Sequence, residues 1–516
     1  MLDVTLRQML RGMCITSKNL EMNRFRLGAS SQKPSAILPF DKPMKRSLCT
    51  GVFLIGVGLG VPPATQTSYT PYSDAKPILE AMAEILPAEL RGTPSGTVEE
   101  DWNSWAKKRD LEIRHRLEQG DADSVVNFLM FGTSYTKEPR LTSAQLHSVS
   151  AEAEKGDKNA AAAWQKLFER RAQDLVRGMK APGQNERLQF ARRTLKRAGV
   201  DFASAADDQK AYAYLYENVK RVTHEQTSFR EALQAARSLN DPTEEFAERS
   251  KLYKDRGLSL DTSLPPDYAL EVALKEMKKR GLLQPEGVKR VGIIGPGLDF
   301  TDKQEGFDFY PTQTVQPFAV MDSLVRLGLV KAGVLEVDAL DLSPRVLAHI
   351  DQARQAAEKG RGYTIQLPKD PARGWNEELT EYWKNFGDQI GTPTTHVAVP
   401  EGLKGIDLRA VRVRPGFAKR MKTFDVNIVL QRADLHEGAK YDLLIATNIL
   451  VYYETFEQSL AMTNIAAMLK PGGYLLTNNA LLELPSSDMH SLGYATVVYS
   501  ERAGDGDHIV WYQRKK

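Results

Sequence analysis

Two glycines and one carboxylate stand where a chain could hold a nucleotide-like ligand. Residues 291–297 read VGIIGPG, a short apolar run closed by Gly295 and Gly297. Glycine at a strand end lets backbone approach a ligand without a Cβ in the way, and Pro296 between the two stiffens the turn. Residues 336–344 read EVDALDLSP, a second apolar run ending in Asp341. A carboxylate at such a tip can accept both hydroxyls of a ribose, the logic of dinucleotide folds. Ser343 and Pro344 then supply an N-cap and a first helical residue.

The elements that must position these groups alternate strand and helix. Residues 441–447, YDLLIAT, read as a buried strand ending at Asn448. Phe456, Leu460, Ile465, Met468 and Leu469 recur at helical spacing, and Lys470-Pro471-Gly472-Gly473 stops that helix before a further strand, GYLLTNN. This is βαβ grammar, and it puts a ligand at the carboxyl ends of the strands. Strands are expected over 289–295, 335–341, 424–431, 441–447, 473–479, 494–500 and 507–513. Residues 361–422 are too long for a structureless loop and hold Trp375, Tyr382, Trp383 and Phe386, so they are expected to form an inserted subdomain.

The glycine turn together with a D-L-L-x-x-x-N strand and a helix–KPGG–strand element resembles the class I methyltransferases that use S-adenosylmethionine, over residues 283–516. The resemblance implies an α/β, seven-stranded doubly wound sheet whose last two strands close it antiparallel. It implies that Gly295 and Gly297 pass beside the cofactor's tail and ribose, and that Asp341 with Leu342 takes the ribose. Asp434 with Leu435 would meet the adenine amino group. Where the family has a third glycine this chain has Asp299, whose carboxylate could bind the cofactor's ammonium group or crowd the site. The segment NILVYY, 448–453, is similar to the N-V-L-I-Y-F of the chemotaxis receptor methyltransferases, which esterify glutamate side chains. That match implies Asn448 on the cofactor and Tyr452 as the catalytic-site residue beside the methyl acceptor. The chain departs from that family at Thr447, where the family has arginine, and it lacks the family's glutamate-rich element. The acceptor, a small molecule or a protein side chain, stays open. No histidine stands well for a general base, His436 beside Asp434 being the nearest.

Two other readings compete. A nicotinamide-dependent dehydrogenase would want a glycine where Phe300 stands and an acid about 20 residues on; the interval from Gly297 to Asp341 is 44 residues. The surplus is the loop 299–316, with Phe307, Phe309 and Tyr310, expected to lie over the cofactor. The second is an exported protein with a degenerate methyltransferase fold that serves as a binding or interaction module. It is prompted by residues 44–66, where Met44-Lys45-Arg46 precedes an apolar run and then Pro62-Pro63-Ala64. This order is that of a secretory signal and too short for a membrane span. It suggests Met44 as the start, export or anchoring, and a transient membrane or translocon contact through 45–61, whereas the cofactor suggests cytoplasm.

At 516 residues, with 42% hydrophobic and 26% charged residues, the chain has room for several domains of ordinary globular composition. A net charge of +3 gives no basic excess for nucleic acid. Cys14 and Cys49 are the only cysteines, and no histidine pair has metal-ligand spacing. Residues 1–70 read as signal-like or disordered, and 75–281 as an all-helical domain before the methyltransferase-like one at 283–516. Helices are expected over 76–91, 100–119, 121–131, 156–181, 184–198, 207–237, 243–256 and 267–280. Trp102 and Trp105 read as core, and the charge-rich stretch 166–193 as a solvated helix face.

Overall fold

The computed structural model describes residues 67–91, 96–141, 158–238, 256–300, 307–331, 333–403, 405–478, 480–502 and 505–515. The signal-like segment 44–66 and most of the expected helix 243–256 lie outside the described residues. The strands are β1 (Thr67–Tyr69), β2 (Arg290–Ile294), β3 (Glu336–Asp341), β4 (Tyr363–Lys369), β5 (Gly391–Thr394), β6 (Asp407–Val413), β7 (Met421–Asp425), β8 (Gln431–Ala433), β9 (Tyr441–Ala446), β10 (Leu469–Thr477), β11 (Met489–Val498) and β12 (Gly506–Arg514). The helices are α1 (Tyr72–Ala81), α2 (Val98–Phe131), α3 (Lys158–Lys180), α4 (Glu186–Arg197), α5 (Ala205–Ser238), α6 (Pro265–Lys279), α7 (Gln316–Arg326), α8 (Pro344–Glu358), α9 (Glu377–Asn385), α10 (Pro415–Ala418) and α11 (Thr455–Met468).

Seven strands form one sheet in the order β11-β12-β10-β9-β2-β3-β7. The run from β10 to β7 is parallel, and β12 lies antiparallel between β10 and β11. The strand order reverses at β2 and β9, the crevice where open α/β sheets bind ligands. Alternation along each strand feeds two cores. Val291, Ile293, Val337, Leu443 and Ile445 face α6, α7 and α8. Ile294, Leu340, Leu444 and Ala446 face α11 and α1. The insertion folds as an antiparallel three-stranded sheet, β4-β6-β5, with α9 packed beside it.

The helical region is divided between two cores. The carboxyl half of α2 packs with α3, α4 and α5 around Phe128, Leu129, Leu175 and Leu195. The first half of α2 belongs to the sheet: Trp102 and Trp105 share a core with Phe456 and Leu460 of α11. Strand β1 pairs antiparallel with β8. Helix α2 also runs unbroken through Gly120, where the sequence suggested two helices. It is started by a capping box, Thr97 with Glu100.

Two local expectations are corrected. The strand expected over 424–431 is two short ones. Asn427 breaks it, its carbonyl accepting from Leu430 and Gln431 and its side-chain oxygen from Val429, a turn that asparagine favours. Strand β8 then leaves the main sheet for β1. The charge-rich stretch 166–193 is not wholly solvated, because Arg171 and Arg187 are buried. Arg171 donates to the carbonyls of Leu129, Glu138, Pro139 and Gly132, and Arg187 to those of Phe300 and Tyr310. Each guanidinium replaces water for several orphan carbonyls at once. Arg187 thereby fastens α4 to the loop after β2.

Candidate functional site

The first strand's turn is built as its glycines require. Gly295 and Gly297 hold φ of +65° and +67°. The Gly295 N–H donates to the Leu340 carbonyl at 2.8 Å, tying the turn to the tip of β3. A Cβ on Gly295 would lie 2.2 Å from Ile449 Cδ1, and one on Gly297 would lie 2.7 Å from the Leu260 carbonyl oxygen. Both glycines therefore admit close protein neighbours, the tip of β9 and the strip 260–262 that bridges to Leu298.

Asp341 sits at the neighbouring tip, 4% exposed. Its Oδ1 accepts from the Ser343 N–H at 2.7 Å, while Oδ2 is buried with no hydrogen-bond partner. Burial drives its pKa up to about 7. Leu342 beside it is half-buried against the α11-side core. In the first turn of α8, the Arg345 guanidinium stacks on Phe190 and Phe300 at 4.1 and 5.0 Å and makes no hydrogen bond among the described residues. Its nearest carboxylate, Asp121 of α2, is 3.7 Å away, and burial pulls the guanidinium's pKa down.

On the other side of β2, Asn448 takes the left-handed conformation at φ +57°, exposed, its N–H donating to Asn478 Oδ1 at 2.9 Å. Asn478 in turn donates to Asp507, which also accepts from the Tyr499 hydroxyl. Thr447 Oγ1 accepts from Gln316 Nε2 at 2.7 Å, joining the end of β9 to the start of α7. Tyr452 closes a 3₁₀ turn, and its carbonyl accepts from Arg116 of α2 at 3.0 Å. Helix α2 thus touches both sides of the crevice, through Arg116 at Tyr452 and Asp121 at Arg345.

The structure brings Gly295, Gly297, Asp341, Leu342, Asn448 and Tyr452 to one edge of the sheet. Asp299 lies one step beyond them, buried and accepting from Tyr310 Oη at 2.9 Å and Gln313 Nε2 at 2.8 Å. Gln313 also donates to Gln366 of the insertion, so Asp299 knits the loop after β2 to β4. Phe307 and Tyr310 pack on Leu403 of the insertion. A cavity of about 40 Å³ remains between this loop, the insertion and Pro265, bordered by Asp299, Gln366 and Trp375.

Asp434 and Leu435 stand elsewhere. Ala433, just before them, meets Met468 at the amino end of β10. Asp434 accepts from Ser68 Oγ at 2.5 Å. With Leu435, His436, Arg432 and Arg514 it borders a cavity of about 750 Å³ between α1, α11 and the loop before β11, at the amino ends of the parallel strands. Asp434→Ala is accordingly expected to change S-adenosylmethionine affinity by less than about 0.5 kcal/mol, as surface substitutions remote from a site do. Titration calorimetry checks this, and a loss of about 1.5–3 kcal/mol, the worth of a hydrogen bond to a charged group, would put Asp434 in the pocket.

Arg116, Asp267, Gln316 and Arg345 carry no motif. Asp267 follows Pro265-Pro266 in the first turn of a helix, where an acid reads as a dipole partner. Only the fold turns its side chain toward Gln316.

No protein-family model matches the chain. Trichosetin synthetase PKS-NRPS1 of Gibberella fujikuroi is 28% identical over 176 residues, 34% of this chain, and the match spans 4% of that protein's length. Among solved structures, the N-methyltransferase NodS from Bradyrhizobium japonicum WM9, in complex with S-adenosyl-L-homocysteine, aligns with 52% of this chain and 99% of its own at 11% identity and a TM-score of 0.24. Magnesium protoporphyrin IX methyltransferase (ChlM) from Synechocystis PCC 6803, with bound S-adenosylmethionine, covers 49% of this chain and 81% of its own at 11% identity and a TM-score of 0.24. The neighbours found in solved structures are methyltransferases, several crystallised with S-adenosylmethionine or S-adenosyl-L-homocysteine.

Proposed function

We propose that the chain is an S-adenosylmethionine-dependent methyltransferase acting on a small molecule or a protein side chain. The observation that carries this reading is Asp341. It is a buried carboxylate at the switch point of a doubly wound sheet, beside a Gly-Pro-Gly turn, with one oxygen left without a donor. A group that costs this much to bury is retained where a ligand completes it, and ribose hydroxyls supply the matching donors. The acidic tip fits a ribose.

When bound, the cofactor supplies an electrophilic methyl group on a sulfonium. The residues of this chain bind and orient. Asp341 would accept the ribose hydroxyls, and Gly295 keeps the turn close to the sheet. Asn448 presents its side chain at the tip of β9, held by Asn478. Tyr452 would border the acceptor, with its backbone fixed by Arg116. The loop after β2 and the insertion support an acceptor site by their position. Phe307, Tyr310 and Trp383 are spent on mutual packing or, for Trp383 Nε1, on the Leu367 carbonyl. Trp375 borders the small cavity there.

Titration of the full chain with S-adenosylmethionine and with NAD tests the reading. Binding of the first alone is expected, and binding of NAD alone would replace it with the dehydrogenase reading. Once label transfer has identified an acceptor, Tyr452→Phe is expected to lower turnover by about tenfold or more, leaving cofactor affinity unchanged. Unchanged turnover would remove Tyr452 from the acceptor site.

A further inference from the structure

A second buried carboxylate lies on the other side of the crevice from Asp341. Asp267, in the first turn of α6, is 2% exposed, and neither of its oxygens makes a hydrogen bond of full geometry, the Gln316 amide alone coming close enough to favour its charged form against burial. The polar side chain beside it is Gln316, whose amide donates to Thr447 Oγ1. Gln316 opens α7, the helix that follows the glycine turn, and Thr447 follows β9. Asp267 therefore stands where the tips of β2 and β9 part. The other groups that face it are the hydroxyls of Tyr382 and Tyr499. The Tyr499 hydroxyl is spent on Asp507, and the Tyr382 hydroxyl is buried without a partner.

Among the described residues no cation reaches Asp267. The other acid near the turn, Asp299, already accepts from Tyr310 and Gln313. An ionised carboxylate buried without a donor is among the most costly arrangements in a protein interior, and a cation arriving with a ligand removes that cost. Next to it lies the amino end of α7, an eleven-residue helix in which Pro317 has no N–H and the Phe318 N–H donates to the Val315 carbonyl, so the Gln316 N–H and the helix dipole are left to suit an anion. Cation acceptor and anion acceptor side by side make a complement for a zwitterion.

We propose that Asp267 receives the ammonium group of an α-amino-acid tail while the first turn of α7 receives its carboxylate, so that Asp267 sets a preference for nucleosides carrying that tail. The proposal rests on the reading of this crevice as an S-adenosylmethionine pocket. It has a second consequence. Burial lifts the Asp267 pKa to about 8, so near neutrality the carboxyl holds a proton in the free protein and gives it up when the ammonium docks.

Calorimetry on the full chain separates the possibilities, with S-adenosyl-L-homocysteine as the ligand with the tail and 5′-methylthioadenosine as the ligand without it. Asp267→Asn is expected to weaken the first by about 10- to 150-fold, the worth of a hydrogen bond to a charged group, and to leave the second unchanged. Repeating the wild-type titrations at pH 7 in buffers of different ionisation heat should show more proton release with the first ligand than with the second, since the ribose docks on Asp341 in both and only the tail reaches Asp267. That comparison needs no variant. Equal proton release with both ligands, or equal loss of both in Asp267→Asn, overturns the proposal and leaves the pocket reading standing. Failure of the wild type to bind either ligand overturns the pocket reading, and the proposal with it.

Discussion

Asp341→Asn is expected to make the ligand-free protein more stable at pH 8 while weakening S-adenosylmethionine binding. The Asp341 carboxyl has a pKa of about 7 in the folded chain, raised by burial, against roughly 3.9 unfolded. A group whose folded pKa is raised binds its proton more tightly in the folded state. Its contribution to stability is complete below pH 4 and is lost as pH rises through 7. Above that, the folded protein carries a buried carboxylate with an unsatisfied oxygen. Three pKa units correspond to about 4 kcal/mol, an upper bound, and asparagine carries none of that penalty. Urea unfolding at pH 4 and pH 8 reads the effect. The two proteins should be similar at pH 4, with the variant ahead by a few kcal/mol at pH 8. The same substitution should weaken cofactor binding by about 1.5–3 kcal/mol. Gain of stability with loss of binding marks a residue kept for its ligand. A variant less stable than wild type at pH 8 would mean that Arg345 holds the carboxylate ionised in the free protein, and the binding argument from its orphan oxygen would go.

The sheet was legible because its signals are local. Apolar runs such as VGIIG and YDLLIA end in glycine or asparagine, and the switch between period 2 and period 3.6 marks the strand–helix alternation. Gly295, Asp341 and Asn448 each lie at the end of such a run, so their meeting at one edge follows from parallel pairing of β2 with β3 and β9. The strand β7 was blurred because 424–430 is apolar apart from Asp425 and Asn427, and only Asn427 marks the turn. With β7 ending at Asp425, the segment 431–435 has already turned back toward the amino ends, and that separates Asp434 from Asp341. The division of the helical region was not legible for another reason. Helix α2 is buried on different faces along its length, against the sheet at one end and against α3 to α5 at the other, so its sequence reads as two helices parted at Gly120 and names no partner for either. Asp267 and Arg345 were invisible because their meaning is an absence of partners, a property of three-dimensional packing.

Trp102→Ala should destabilise the whole protein by about 3–5 kcal/mol, the range for removing a large aromatic from a packed core. Trp102 is 1% exposed and stacks on Trp105 at 5.2 Å, which in turn meets Phe456 of α11 at 5.7 Å. Its indole N–H donates to the Thr70 carbonyl at 2.8 Å. Thr70 is itself fixed to the sheet side, its N–H donating to Leu430 and its hydroxyl lying 2.9 Å from Asn464 Oδ1 of α11. Seven residues further along α2, Arg109 pairs with Glu457 at 2.7 Å. Truncation would leave a cavity between α2 and α11 and a buried carbonyl without its donor. The first half of α2 is thus part of the core that supports the tips of β9 and β10, so loss of Trp102 should also loosen the Tyr452 turn that Arg116 clamps. Urea unfolding followed by far-UV circular dichroism should show one transition moved to lower urea, with cofactor affinity falling in the same variant. A protein in which the helical signal melts early while the cofactor still binds with wild-type affinity would show that α2 is an appended element and that the sheet stands without it.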